Sequence, residues 1–268
     1  MSAPIGVFDS GIGGLSILQA LRAEMPHEHF IYIADNGHAP YGERDEAHVL
    51  ARSRALADYL VSRNVKALVI ACNTATAAAI HQLREEHPGL ALIGVEPALK
   101  PAALLSKTGH IGVMATRSLL GSAKFQSLLA AQAGQAKFTL QPCDGLAAAI
   151  EHAAATRDDS KMIALCALYT CGEGLFGTET GQIDTVVLGC THYPFAREHL
   201  RALLGPDVQL IDNGLAVAHQ TRRLTATSAQ TAAVGSVSLL TTGNPETLRT
   251  AALRWLGLAT GVALLCVQ

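Results

Sequence analysis

The sequence predicts an α/β protein built on parallel sheets with helices on both faces. Three observations carry this. Short β-branched and apolar runs alternate with longer Ala/Leu/Arg/Glu-rich stretches of helical periodicity. The short runs are continuously apolar rather than alternating, as strands buried on both faces are. Two segments also repeat one pattern: VIACNTAT (69–76) and VLGCTHYP (187–194) each pass from an apolar run through a cysteine into a polar start of a new segment. The repetition suggests two related α/β units.

Taken in order, strands are expected at 5–9, 30–35, 67–72, 90–95, 110–115, 137–142, 184–190, 208–212 and 236–242. That is more than one small sheet holds comfortably. Crossovers between units are expected at Glu96–Pro97 and at Leu210–Asn213. The first domain then comprises 1–96 and 212–268, and the second 97–211. The small, polar stretch 223–235 reads as a loop or a frayed helix end.

Composition narrows the function. The chain of 268 residues is 49% hydrophobic and 16% charged, below the usual ~25% charged. That fits a large buried fraction, an oligomer, or both; a homo-oligomer, a dimer favoured, is expected. A net charge of −2 without a basic block argues against a nucleic-acid footprint. No apolar run reaches the roughly 20 residues of a membrane span. The first residues lack the basic and long apolar regions of a signal peptide, so a cytoplasmic, reducing location is expected. Six cysteines are too sparse for a disulfide scaffold. Cys190 and His192 form a lone C-x-H, short of the three or four protein ligands that zinc needs, so no metal is expected.

Cys72 falls where a strand ends and a helix begins, with Asn73 and Thr74 as candidate caps. Open α/β sheets bind ligands at such ends, and a helix N-terminus favours thiolate and bound carboxylate. Cys190 repeats the arrangement, with Thr191 as a cap, Pro194 in the first turn and His192 placed to exchange protons with the thiol. Two acid/base groups on opposite sides of one carbon are what inversion by proton transfer requires. Cys143 also follows a strand but lacks the polar follow-through, and reads as structural.

The first strand ends in Asp9–Ser10 and GIGGLS (11–16), whose glycines allow a tight turn with exposed amides. Gly11 and Gly13 partly fit a dinucleotide fingerprint, with Asp35 as its ribose acid. Ser16 replaces the third glycine, however, and Asp9 would sit near the pyrophosphate. Asp35 opens DNGHAPYGER (35–44), a polar loop at a strand end in which Tyr41 and Gly42 offer a hydroxyl and an amide. By pattern alone, Glu151 and His152 look like solvated helix residues.

Together DSGIGGLS, DNGHAPYGER, ACNTAT, GVEPALKPA (94–102), GVMATRSLL (112–120) and GCTHYP resemble the glutamate racemases of the cofactor-independent aspartate/glutamate racemase superfamily. The likeness runs in order from residue 5 to about 214 and is weakest in 220–268. It implies two flavodoxin-like, doubly wound parallel-sheet domains related by pseudo-twofold symmetry, with the active site between them. It implies Cys72 and Cys190 as the two catalytic bases, Asp9 beside the first and His192 beside the second. Asp35 and Glu151 match family acids that assist catalysis. Asp9, Ser10, Tyr41, Gly42, Asn73, Thr74, Thr191 and His192 would line the substrate site, with Thr116 as a carboxylate contact.

The implied reaction interconverts L- and D-glutamate and supplies D-glutamate for peptidoglycan precursors. No cofactor is expected. The motifs holding Asp9, Asp35, Cys72 and Cys190 contain no lysine for a pyridoxal phosphate Schiff base. Acidification of Cα–H must then come from preorganised donors, with Asp9 or Asp35 holding the substrate ammonium. A dinucleotide-dependent oxidoreductase, an aspartate racemase and a clamshell solute-binding protein are the alternatives.

Overall fold

The computed structural model describes residues 3–172, 175–225 and 234–267. The chain divides into two compact units, Met1–Val95 with Gly214–Gln268, and Glu96–Asn213. The first begins β1 (Ile5–Asp9), α1 (Leu15–Glu24), β2 (Phe30–Ala34), α2 (Glu46–Ser62), β3 (Ala67–Ile70), α3 (Asn73–Glu86) and β4 (Ala91–Gly94). The second contains α4 (Leu99–Leu105), β5 (His110–Ala115), α5 (Arg117–Gly121), α6 (Ala123–Ala130), β6 (Lys137–Pro142), α7 (Leu146–Thr156), α8 (Ser160–Tyr169), β7 (Thr185–Leu188), α9 (Arg197–Leu204) and β8 (Gln209–Ile211). The chain then rejoins the first unit through α10 (Gly214–Thr225), β9 (Val237–Thr241), α11 (Pro245–Leu256) and β10 (Val262–Leu264).

Each unit holds one wholly parallel sheet. The strand order is β10-β9-β2-β1-β3-β4 in the first and β6-β5-β7-β8 in the second. The central strands β1, β3, β5 and β7 are buried along their length, which explains their unbroken apolar character. In the first unit α1 packs with α10 and α11, and α2 with α3. The core against α2 and α3 includes Phe8, Leu56, Leu60, Ile70, Ile80 and Leu83.

All nine expected strands form, several of them one or two residues shorter at the carboxyl end. The tenth, β10, falls where no strand is expected. It has three residues and, among the described residues, pairs with β9 alone, too short for a readable period. The stretch 223–235 lies largely outside the described residues. α10 runs through Thr225, and 226–233 are not among those described.

In both units the strand following the first β–α–β crossover crosses to the other side of the opening strand. The gap between β1 and β3, and that between β5 and β7, is therefore a topological switch point, where such sheets bind ligands. One more backbone bond extends each ladder past the strand: Ala71 N–H donates to the Phe8 carbonyl and Gly189 N–H to the Met114 carbonyl, both at 2.7 Å. The next residues are Cys72 and Cys190.

The turn after β1 is tightly packed. A Cβ on Gly14 would stand 2.6 Å from Asp9 Cβ and 2.9 Å from the Tyr32 hydroxyl, which itself donates to the Gly11 carbonyl at 2.6 Å. We expect Gly14→Ala to destabilise the protein by about 1–3 kcal/mol through overpacking, read from the urea midpoint. Gly89→Ala, where an added Cβ meets nothing within 4 Å, should change stability by no more than about 0.5 kcal/mol.

Candidate active site

In the first unit, Cys72 itself caps α3. Its Sγ accepts from Ala75 N–H at 3.4 Å, so Asn73 and Thr74, expected as caps, are instead the first helical residues. The thiol lies at the positive end of a fourteen-residue helix. Its Sγ–H faces Ser10 Oγ at 3.8 Å, and Ser10 donates to Asp9 Oδ1 at 3.3 Å. Asp9 is fully buried and also accepts from Gly11 N–H at 2.7 Å. A carboxylate thus occupies the amide that a pyrophosphate would need, which counts against the dinucleotide fingerprint. Asn73 is buried, and neither of its amide atoms has a hydrogen-bond partner among the described residues. A buried unpaired amide is costly, as befits a group that meets a ligand. Thr74 is buried beside it.

The second unit builds its junction differently. After Cys190 the chain forms a short 3-10 turn, Tyr193–Ala196, before α9. His192, not Thr191, holds the capping position, and Pro194 sits in the first turn. Thr191 and His192 are buried. His192 Nδ1 lies 3.6 Å from Cys190 Sγ, and its Nε2 lies 2.8 Å from Glu151 Oε1. Glu151 therefore is not the solvated residue that its pattern suggests. α7 turns it inward, and its side chain is 20% exposed against 6% for His192. Burial alone disfavours a charged His192. The hydrogen bonds to Cys190 and Glu151 outweigh it and hold the imidazole well above its ordinary pKa. Each thiol is thus linked through one side chain to a carboxylate: Cys72–Ser10–Asp9 and Cys190–His192–Glu151.

Asp35, fully buried just beyond β2, has both oxygens committed within the protein. Oδ1 accepts from Arg52 Nη2 (3.0 Å) and Thr242 Oγ1 (2.7 Å); Oδ2 accepts from Arg52 Nε (3.0 Å) and the Tyr41 hydroxyl (2.6 Å). Such a carboxylate is unsuited to holding a substrate ammonium. Burial and Asp35 together push the Tyr41 phenol far above its usual range, so it stays protonated. Tyr41 and Gly42 lie in a short 3-10 turn that packs against α3.

Thr116 caps α5, its side chain accepting from Leu119 N–H at 3.3 Å. It stands at the carboxyl end of β5, the strand next to β7. Cys143 is buried and donates to the Gln141 carbonyl at 3.4 Å. Burial, with a smaller effect from Cys190, pushes its thiol far up, consistent with a structural role. Cys166 is pushed up to about 11 by burial.

Arg52 and Thr242 escaped the reading of the sequence. A signal for Arg52 exists: it lies on the stripe of α2 that buries Val49, Ser53, Leu56 and Leu60, where an arginine requires a buried partner. Thr242 carries no such signal, because its meeting with Asp35 depends on β9 pairing with β2.

The profile of the Asp/Glu/Hydantoin racemase family matches residues 15–221. The glutamate racemase of Pseudomonas paraeruginosa is 46% identical over 233 residues, 85% of this chain and 83% of that protein. That of Herpetosiphon aurantiacus is 44% identical over 249 residues, 90% and 93% of the two chains. Among solved structures, Escherichia coli glutamate racemase in complex with L-glutamate and the activator UDP-MurNAc-ala matches with a TM-score of 0.85 at 30% identity, covering 100% of both chains. The Thermus thermophilus glutamate racemase bound to beta-chloro-D-alanine matches at 0.76 and 30%, covering 97% and 95%.

The His192 geometry has a pH consequence. With its folded pKa raised, the charged imidazole stabilises the fold fully below about pH 6.5, and that stability fades as pH rises through the folded value. Glu151→Gln removes the negative charge of one of the two partners while keeping its shape. We expect the His192 ring titration, followed by proton NMR, to move to lower pH and the stability lost above neutrality to shrink. An unmoved titration would show that Glu151 does not hold the charge.

Proposed function

Because the chain belongs to the Asp/Glu/Hydantoin racemase family, we propose that it interconverts L- and D-glutamate by two-base proton transfer at Cα, with Cys72 and Cys190 as the bases. One observation supports this above the rest. Each parallel sheet delivers one buried cysteine to its switch point, beside a helical start and within a side-chain chain to a carboxylate. The naming of the similar proteins as glutamate racemases supports the choice of glutamate.

In one direction a thiolate removes the Cα proton. The C–H bond breaks, an S–H bond forms, and the electron pair remains on the carbanion. The second cysteine, as thiol, delivers its proton to the opposite face. The reverse reaction exchanges the two roles, and proton exchange with water resets both sulfurs. His192 stands 3.6 Å from Cys190 Sγ, placed to exchange a proton with it, and Glu151 keeps His192 charged. In the first unit Ser10 and Asp9 orient the Cys72 thiol. Asn73, with its unmet amide, and the residues Thr74, Thr191, Thr116, Tyr41 and Gly42 serve as substrate contacts. Donors and helix starts aimed at developing negative charge are the means by which a weakly acidic C–H is activated without a cofactor. The product, D-glutamate, would enter peptidoglycan precursors in the cytoplasm.

Proton NMR of L-glutamate with the reduced protein in deuterated water, no cofactor added, tests the reading. The Cα-proton signal should disappear as optical rotation decays to zero. D-Glutamate should carry deuterium from its first appearance, because the donating thiol exchanges with solvent. Persistence of both the signal and the rotation would refute glutamate racemisation. Cys72→Ala and Cys190→Ala should each lower the rate by at least about 10²–10⁴-fold, as for loss of an essential acid/base. Near wild-type turnover in either variant would end the two-thiol mechanism.

A further inference from the structure

We infer that the turn after β9, through Thr242, and Arg52 on α2 are positioning residues that hold the Tyr41–Gly42 loop for substrate. The inference rests on the racemase reading above and gives the last part of the chain a task within it. β2 and β9 pair in parallel up to Ala34 and Thr241, so the next pair, Asp35 and Thr242, leaves the sheet side by side. Thr242 N–H donates to the Ala34 carbonyl at 3.1 Å, continuing the ladder. Its hydroxyl donates to Asp35 Oδ1 at 2.7 Å and accepts from Gly37 N–H at 3.1 Å.

The two turns approach backbone to backbone. A Cβ on Gly37 would lie 2.7 Å from the Thr242 carbonyl oxygen, and one on Gly243 would lie 2.7 Å from Asn36 Cβ. Arg52 grips both Asp35 oxygens with its fork, and its Nη1 donates to the Val267 carbonyl at 3.2 Å. With four bonds accepted, the carboxylate has used about its whole capacity. Asp35 therefore acts through Tyr41, whose hydroxyl it fixes at 2.6 Å. The chain of contacts runs from Thr242 and Arg52 through Asp35 to Tyr41, and so to the loop that carries Gly42.

Thr242→Val keeps the shape and removes the hydroxyl; Thr242→Ser keeps the hydroxyl. If the network positions substrate contacts made equally in ground and transition states, Thr242→Val should raise KM for glutamate about tenfold, with kcat within about threefold of wild type. Thr242→Ser should restore KM to within about twofold. A general loss of folding would lower kcat through loss of active protein and leave KM unmoved. Arg52→Lys, which keeps the charge and loses the fork, should give the same KM signature and carries the test should Thr242→Val fail to fold. An unchanged KM in a folded variant would overturn the inference. So would equal losses in Thr242→Val and Thr242→Ser. A wild-type protein that does not turn over glutamate would instead overturn the racemase reading itself, which separates the two failures.

Discussion

Parallel pairing of buried strands is the constraint on which the rest of the molecule depends. A parallel strand must return by a crossover, and crossovers that cover both faces bury both faces. Within each sheet all carboxyl ends then lie along one edge. At that edge the backbone leaves the ladder and its polar groups need new partners. Both units solve this alike beside the opening strand, with one further amide bond from Ala71 or Gly189 and then a cysteine. The glycine is required in the second unit, because a Cβ there would lie 2.9 Å from the Met114 carbonyl oxygen. The thiols are placed by main-chain geometry before any side chain touches them.

The electrostatics are arranged around this edge. A carboxylate withdrawn from solvent is tolerated only when its acceptors find partners; Asp9 and Asp35 are fully buried and Glu151 half-buried, and each is met in its own way. Asp9 is met by the Gly11 amide and the Ser10 hydroxyl, Asp35 by an arginine fork, a threonine and a tyrosine, and Glu151 by His192. The first unit links its thiol to a carboxylate through a hydroxyl and the second through an imidazole. Only the second link contains an imidazole, whose ordinary pKa lies near neutrality and which its partners here hold well above that value. The two sulfurs therefore meet unlike proton environments.

The same comparison shows where the units diverge. Asp35 N–H donates to the Asp9 carbonyl, and Cys143 N–H donates to the Ala115 carbonyl, both at 2.9 Å. The two residues thus hold equivalent positions beside the opening strand. In the first unit that position is a charged hub, and β9 lies next to β2 to supply Thr242. In the second it is a buried neutral thiol just beyond β6, an edge strand of its sheet. Cys143, like Cys72 and Cys190, follows a strand end, but its thiol donates to a main-chain carbonyl, whereas theirs face Ser10 and His192.

Several features were legible in the residues themselves. The apolar runs read as strands because burial on both faces leaves no alternation to confuse the period. Asp9, Cys72 and Cys190 were legible because a strand end followed by capping residues is a local signal. The family likeness supplied Glu151, which its own helix pattern could not. Other features belong to tertiary structure alone. β10 is too short to have a period. The capping role of Cys72 depends on the backbone conformation at the junction, and the inward turn of Glu151 depends on where α7 packs. The meeting of Arg52, Thr242 and Asp35 depends on β9 lying beside β2, some 200 residues apart in the chain. Local order follows from neighbours within a turn or a strand and can be read along the chain. Contacts closed over long loops depend on which surfaces the packed core leaves for one another, and only the folded molecule decides them.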